Sequence, residues 1–355
     1  KNNNDRKQHA CHISHTTCHN TCSLLYKFEC NRTERRSMNF EKYPWLLDLD
    51  SDDALHHIRL ARKSYLATGA VTFPNFMTAK ALAQCVQDAR AQEDSAYTTD
   101  DTHTPHLLPY DDSTYPSNSV RNHKMRTQVA SIAYDELPPN SELAALYQHP
   151  SLIGLVGAIT GKLVTNNGNG TKGEVKDDGS DIPDDKLYLS EDPIGACTIN
   201  VFRPGFHHSF HFDESVFSTS IMLQEAEKEG SGLFQYTHPL RQNDQDLALH
   251  SVAEIIQTYD PKHVPQSGFE ETHRNKANTN DDDTPLAEKG KCPILHTLAF
   301  EPGTLSIFSG SRSLHRVTKI EGNRSRLTAI LTFATKPGFR NSKEVRELFW
   351  GRSSV

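Results

Sequence analysis

The chain has 355 residues, of which 35% are hydrophobic, and its mean hydropathy is clearly negative. This length suffices for one large domain or two ordinary ones, and the lack of any long apolar run excludes a membrane-spanning helix. The formal net charge of -7 argues against non-specific binding to nucleic acid, which needs a basic surface.

The first 37 residues are polar and rich in cysteine and histidine, but they show neither helical nor strand periodicity. We predict a disordered leader over 1–37, with Met38 as a candidate start. The alternative is a zinc-binding tail, although its spacing lacks the paired motifs of a closed tetrahedral site. Because no apolar signal segment begins the chain, a reducing, cytoplasmic setting is favoured. The candidate zinc ligands are His9, Cys11, His15, Cys18, His19 and Cys22.

The next segments favour two helices with a strand between them. The stretch 51–62 carries acidic residues before an apolar period, and Thr78 is a suitable cap for a helix that runs to about Ala91. Between them, 69–76 predicts a strand and a turn. Residues 92–122 are rich in turn formers and give no assignment.

The middle of the chain combines helical segments with polar insertions. Residues 137–161 predict two short helices with Pro150 at the break. Two stretches, at about 163–192 and 259–291, are rich in Gly, Asp and Asn and almost free of aromatic residues. We therefore interpret both stretches as surface inserts.

Short segments of β type, punctuated by Gly and Pro, dominate the second half of the chain. Such a pattern indicates an antiparallel sandwich or jelly roll. Because helices come first and strands later, we predict an α+β fold with a β core, built as one domain over 38–355. The predicted strands are 196–204, 208–214, 218–224, 232–237, 303–310 and 326–333.

A His-x-Asp pair, His211 and Asp213, lies in one of these predicted strands. Positions i and i+2 of a strand face the same side, so the imidazole and the carboxylate would project together into the interior. A third ligand would come from His315, which follows the strand 303–310. Two imidazoles and one carboxylate on one face of iron leave three positions open for a bidentate 2-oxo acid and O2.

Arg326 opens the last predicted strand, eleven residues after His315. The far carboxylate of a 2-oxo diacid needs a fixed, planar cation, and a guanidinium offers two parallel hydrogen bonds to such a group. Arg326 shares a strand face with Thr328 and Ile330, which fits an inward-pointing side chain. Arg324 is the competing anchor, but its place in the preceding turn favours a solvated side chain.

The order of these residues resembles the iron(II)/2-oxoglutarate-dependent oxygenases. The resemblance covers roughly residues 65–352 and implies a double-stranded β-helix (jelly-roll) core that uses iron(II), 2-oxoglutarate and O2. More narrowly, FRPGFHHSFHFDESVFSTSIMLQ and FEPGTLSIFSGSRSLHRV are similar to oxygenases that act on free amino acids. That group includes bacterial lysine halogenases and fungal enzymes that form aziridines from valine.

Carried over residue by residue, the resemblance implies that His211 and His315 bind the metal and that Arg326 binds 2-oxoglutarate. The halogenases carry glycine where this chain has Asp213. A carboxylate there occupies the coordination position that chloride needs, so we do not expect halogenation. Asn200, which precedes the metal strand, is a further candidate contact of 2-oxoglutarate.

The same resemblance supplies candidate substrate contacts, each of which has a purely structural alternative. Arg126 matches an arginine that holds the substrate α-carboxylate, while His208 and Glu214 lie where the halogenases place polar contacts. Trp350 lies where an aromatic residue closes the pocket. Ile330 stands where the lysine halogenase has an amide, which argues against lysine as the substrate.

The sequence therefore predicts an enzyme that oxidises an unactivated C–H bond of a small free amino acid, by hydroxylation or by desaturation or ring closure. A zwitterion would match a guanidinium and a carboxylate beside the iron. The alternatives are a peptide or protein hydroxylase of the same superfamily, a jelly-roll enzyme that uses a metal without oxoglutarate, and a non-catalytic cupin-like binding protein. No nucleic-acid or membrane partner is expected.

Overall fold

A computed structural model of the chain describes residues 37–108, 110–164, 186–215, 217–243, 245–270 and 293–355. The predicted leader, with its candidate zinc ligands, and most of the two predicted inserts lie outside these residues. Within the range predicted for the first insert, Lys186–Leu189 forms a strand. No helix in the described ranges is both long and apolar enough to span a membrane.

The described residues form six α-helices. They are α1 Asp52–Thr68, α2 Ala79–Gln92, α3 Glu142–Tyr147, α4 Pro150–Thr160, α5 Leu249–Tyr259 and α6 Lys343–Trp350. Short 3₁₀ helices lie at Pro44–Leu47, Val120–Asn122, Tyr134–Glu136 and Pro261–His263.

Local sequence signals explain where α1, α2 and α4 begin. Ser51 and Thr78 cap α1 and α2, because their side chains accept hydrogen bonds from the N–H groups of Ala54 and Ala81. The predicted break at Pro150 is confirmed: Pro150 opens α4, where its missing N–H is not needed. The sequence patterns did not predict α5 and α6.

Thirteen strands in the described residues form two sheets. They are β1 Ala70–Phe73, β2 Tyr97–His103, β3 Met125–Ile132, β4 Leu163–Val164, β5 Lys186–Leu189, β6 Cys197–Phe202, β7 His208–His211, β8 Phe217–Gln224, β9 Phe234–Thr237, β10 Leu295–Thr297, β11 Leu305–Phe308, β12 His315–Val317 and β13 Arg326–Ala334. All six strands predicted in the second half of the chain are present, although β7 ends at His211.

Both sheets are antiparallel apart from the short β4–β5 pair. The larger has the order β1-β11-β8-β13-β6-β3-β2, with β5 also beside β13, and the smaller has the order β10-β9-β12-β7. From β6 onward, the chain crosses between the sheets at every connection except the one from β9 to β10. The predicted α+β class with antiparallel sheets is confirmed.

Apolar clusters hold the layers together. Residues of α1 to α4 pack with the outer face of the larger sheet, and Val252, Ile255 and Ile256 of α5 cover the smaller sheet. A third cluster joins the two sheets face to face. Its members include Phe202, Met222 and Phe308 from the larger sheet and Phe234, Tyr236 and Val317 from the smaller.

Strand β13 separates the main core from the space between the sheets. Its odd-numbered side chains join the cluster under the helices, and its even-numbered side chains line a pocket between the sheets. Because strand side chains alternate, a slip of one residue would place a guanidinium in the aliphatic core. The side chains in the cluster are Leu327, Ala329, Leu331 and Phe333. The side chains that line the pocket are Arg326, Thr328, Ile330 and Thr332.

Candidate functional site

His211 and His315 lie directly opposite each other on the neighbouring strands β7 and β12. Both side chains are buried, and their ring centroids are 4.1 Å apart. The hydrogen-bonded ladder of the smaller sheet therefore brings together two imidazoles that are far apart in sequence.

Backbone carbonyls fix the tautomer of both rings. Nδ1 of His211 lies 2.8 Å from the carbonyl oxygen of Ser209, and Nδ1 of His315 lies 2.9 Å from that of Ser313. A carbonyl can only accept, so each Nδ1 carries a proton and each Nε2 presents a lone pair. Burial, with His315 adding to the effect, lowers the pKa of His211 and favours its neutral form.

Asp213 completes a group of three potential metal ligands. Its Oδ1 lies 3.4 Å from Nε2 of His211 and 3.3 Å from Nε2 of His315. Burial acts to raise the pKa of Asp213, but the two imidazoles, His315 first, hold it well below its usual range. A carboxylate oxygen and the two Nε2 atoms, whose lone pairs the carbonyl contacts at Nδ1 leave free, converge within 4.8 Å of one another. The donor set therefore fits a divalent metal.

The strand period does not position Asp213, because β7 ends two residues earlier. Instead, its backbone N–H donates to the carbonyl of Gly310 at 3.0 Å, and its Oδ2 accepts a hydrogen bond from Ser218 Oγ. A Cβ at position 310 would overlap with Asp213 Oδ2 and Ser218 Oγ, so this close approach requires glycine. The predicted ligand is brought into place by contacts that the His-x-Asp spacing does not reveal.

A β-bulge places His208 beside His211. The register pairs His315 with His211 and Val317 with His208, so β7 has one residue more than β12 between the two pairs. Two side chains three residues apart therefore face the same side, and their rings stack with centroids 3.7 Å apart. His208 lines the pocket, and its buried Nε2 has no hydrogen-bond partner in the described part of the chain.

Arg326 is 1% exposed and lines the same pocket as the three ligands. Its Nη1 donates to Thr328 Oγ1 at 2.6 Å, while Nε and Nη2 have no partner among the described residues. Burial lowers the pKa of Arg326 to about 10, so the side chain remains charged at neutral pH. Taking such a charge out of water costs several kcal/mol unless an anion is supplied. The competing anchor, Arg324, is exposed and donates to the Ala226 carbonyl.

The pocket between the sheets brings together nine of the ten predicted site residues. Asn200 on β6 is the neighbour of Thr328 on β13 and accepts a hydrogen bond from Ser131 Oγ at 3.3 Å. Glu214 Oε2 accepts from the backbone N–H of Ser342 at 2.9 Å, which ties the start of α6 to the segment that carries Asp213. The residues on the pocket lining are Asn200, His208, His211, Asp213, Glu214, His315, Arg326, Ile330 and Trp350.

The structure contradicts the assignment of Arg126 to the substrate carboxylate. Its neighbour Thr127 is fully buried and faces the histidines, so Arg126 points to the opposite side of β3. Arg126 Nε and Nη2 each lie 2.7 Å from a carboxylate oxygen of Asp100, and the Arg126 side chain is 57% exposed. This surface ion pair leaves the arginine outside the pocket.

No family model matches the chain, and the comparison with curated proteins finds no match. Several solved structures have a similar fold. One is the non-haem α-ketoglutarate-dependent epimerase SnoN from nogalamycin biosynthesis, which has 10% sequence identity and a TM-score of 0.45, and the match covers 79% of this chain and 81% of that chain. A 2OG-Fe(II) oxygenase family oxidoreductase from Burkholderia pseudomallei has 13% identity and a TM-score of 0.40 over 79% and 91%. A prolyl-4-hydroxylase from Pseudomonas putida has 12% identity and a TM-score of 0.37 over 77% and 96%. Similarities this distant do not indicate a function, so the function is inferred from the residues of the site.

Replacement of either imidazole should abolish metal binding. We expect His211→Ala and His315→Ala to weaken the affinity for Fe(II) or Co(II) by more than about 100-fold. Each variant removes one of the three ligands and leaves a single imidazole beside the carboxylate. Anaerobic titration calorimetry measures the affinity, and thermal unfolding verifies the fold. The exposed His250 supplies the control variant His250→Ala. Wild-type affinity in either ligand variant would show that the metal, if any, lies elsewhere.

Gly310→Ala should displace the Asp213 carboxylate without removing a ligand. We expect metal affinity to fall by about 10-fold or more, because the new methyl group overlaps with Asp213 Oδ2 and Ser218 Oγ. The control is Gly154→Ala in α4, where the new Cβ meets only the end of the Leu49 side chain. Equal metal affinities for the two variants would contradict the role of Gly310.

Proposed function

We propose that the chain is an iron(II)- and 2-oxoglutarate-dependent oxygenase with a jelly-roll core that oxidises an unactivated C–H bond of a small molecule. One observation carries the proposal. A donor set of two imidazoles and one carboxylate shares a pocket with a buried arginine, two of whose nitrogens have no hydrogen-bond partner among the described residues. This donor set, with positions left open, is that of non-haem iron(II) oxygenases.

The strand connections support the proposed jelly-roll core. From β6 onward, eight strands divide equally between the sheets, in the orders β11-β8-β13-β6 and β10-β9-β12-β7. Nearly every connection passes from one sheet to the other, as in a double-stranded β-helix. The smaller sheet then carries the metal ligands, and the larger sheet faces them with Arg326.

The polar groups around Arg326 fit a dicarboxylate. Its unpaired Nε and Nη2 suit a carboxylate that accepts two parallel hydrogen bonds, and Thr328 Oγ1 orients the guanidinium through Nη1. The charges also balance: a divalent metal and Arg326 offset Asp213 and the two carboxylates of 2-oxoglutarate. Asn200, on the strand next to Thr328, is in place for a further hydrogen bond.

Iron(II) with 2-oxoglutarate and O2 supplies the oxidising chemistry, and the chain supplies binding, orientation and exclusion of water. Asp213 stays ionised, and the carbonyls of Ser209 and Ser313 keep both imidazoles oriented with Nε2 toward the centre. An apolar wall lies beside the ligands. It is formed by Phe234, Phe300, Phe308 and Val317.

The substrate side of the pocket favours an amine over a zwitterion. Ile330, Phe349 and Trp350 form an apolar surface, and Glu214 is, among the described residues on that side, the only charged side chain besides the metal ligand. With Arg126 outside the pocket, Arg326 is the only arginine or lysine among its described lining residues. A free amino acid, as expected from the sequence, would bring a carboxylate for which the pocket has no second cation. We therefore propose a small, apolar amine with its nitrogen toward Glu214.

Loss of the Arg326 guanidinium should weaken 2-oxoglutarate without affecting the metal. A buried, charge-assisted, two-fold contact contributes roughly 2–4 kcal/mol, or about 30- to 1000-fold in affinity. We expect this loss in Arg326→Ala when 2-oxoglutarate is titrated anaerobically into metal-loaded protein, and no change in Arg324→Ala. The reverse pattern would transfer the anchor to Arg324, and no change in either variant would refute the dicarboxylate site.

Matched pairs of amino acids and their decarboxylated amines test the substrate class. We expect release of succinate from 2-oxoglutarate to be stimulated more strongly by apolar amines than by the parent amino acids. Glu214→Gln should raise the KM for the amine while the affinity for 2-oxoglutarate stays unchanged. Stimulation by amino acids alone would restore the zwitterion prediction and refute the amine.

A further inference from the structure

Ser209, in the bulge of β7, is held through each of its polar groups. Its N–H donates to Thr127 Oγ1 at 3.1 Å, its carbonyl accepts from Nδ1 of the metal ligand His211 at 2.8 Å, and its hydroxyl donates to the carbonyl of Arg126. A bulge interrupts the regular ladder, so side chains from outside the strand must satisfy its backbone. Thr127 performs this role from β3, a strand of the other sheet.

The hydrogen bonds around Thr127 have a single consistent direction. Because Thr127 Oγ1 accepts from the Ser209 N–H, its own proton is available for Nε2 of His103, 2.7 Å away. His103 then carries its proton on Nδ1, which lies 2.9 Å from the carbonyl of Thr104. Each donor in this series therefore has an acceptor, from Nδ1 of His211 to the carbonyl of Thr104. Nε2 of His211 keeps its lone pair toward the proposed metal centre.

The other imidazole is supported from within its own sheet. On the other side, Ser313 accepts the Nδ1 proton of His315, and its own N–H donates to the carbonyl of Ser309 at 2.8 Å. The peptide that carries this carbonyl is also held by a threonine, because the Leu314 N–H donates to Thr237 Oγ1 at 3.1 Å, but Thr237 lies on β9 of the smaller sheet itself. The orientation of His211 depends on a side-chain hydroxyl that crosses from the larger sheet to the smaller.

We propose that Thr127, oriented by His103, is a positioning residue for the metal ligand His211. It fixes the Ser209 peptide, and the Ser209 carbonyl fixes the imidazole. Partners that orient ligating histidines commonly change metal affinity by about 10- to 100-fold when they are removed. The inference rests on the proposed metal site but not on the reaction, and metal affinity is its readout.

The test compares three threonine variants. Thr127→Val removes the hydroxyl at nearly constant volume, and Thr127→Ser retains it. Thr219→Val is the matched control, because Thr219 is also fully buried in the larger sheet but its hydroxyl has no partner among the described residues. Anaerobic titration with Co(II) measures affinity, and the melting temperature of the metal-free protein measures stability.

We expect Thr127→Val to bind Co(II) about 10- to 100-fold more weakly, Thr127→Ser to stay within a few-fold of the wild type, and Thr219→Val to be unchanged. Wild-type affinity in Thr127→Val would overturn the inference, as would an equal loss in Thr219→Val. If Thr127→Val does not fold, His103→Phe, which removes the acceptor of the Thr127 proton, decides by the same affinity measurement. A wild-type protein that binds no Co(II) would instead refute the proposed metal site itself.

Discussion

The pairing of His211 with His315 across β7 and β12 is the constraint on which the rest of the site depends. Once the ladder fixes the two rings and backbone carbonyls fix their tautomers, both Nε2 lone pairs point at one place. The carboxylate of Asp213, pressed against Gly310, adds a third donor and a negative charge. Such a centre favours a divalent cation on electrostatic grounds, whatever family the chain resembles.

The larger sheet supplies the complementary half of the site. On β13, period-two alternation gives one face to the helices and the other to the pocket, so Arg326 is buried with its guanidinium carbon 5.4 Å from the centre of the Phe202 ring. Two of its nitrogens have no partner in the part of the chain that the structure describes. A cation buried in this way is unfavourable alone and selects for an anion. Face-to-face packing of the sheets therefore places the three candidate metal ligands in one pocket with a buried cation, and α6 adds Phe349 and Trp350 beside them.

Residues with a strong local signal could be predicted from the sequence. The ligands and Arg326 lie in or beside short β segments with recognisable spacing, and Thr78 and Pro150 mark helix starts by their own chemistry. Arg126 was misassigned because a match of sequence letters does not reveal which face of β3 a side chain occupies. Strand β2, with the sequence YTTDDTH, lacks the apolar alternation that would announce a strand. The contacts of Ser209 and Gly310 depend on partners remote in sequence, which no local pattern encodes.

A crystal structure of the protein prepared anaerobically with Mn(II) in place of iron and with 2-oxoglutarate would test the central claim most directly. Anomalous scattering locates the metal, and the density of the dicarboxylate shows what binds its far end. We predict one metal ion bound by His211, Asp213 and His315, with the far carboxylate of 2-oxoglutarate on Arg326. A metal bound by other residues, or a dicarboxylate that does not contact Arg326, would contradict the account.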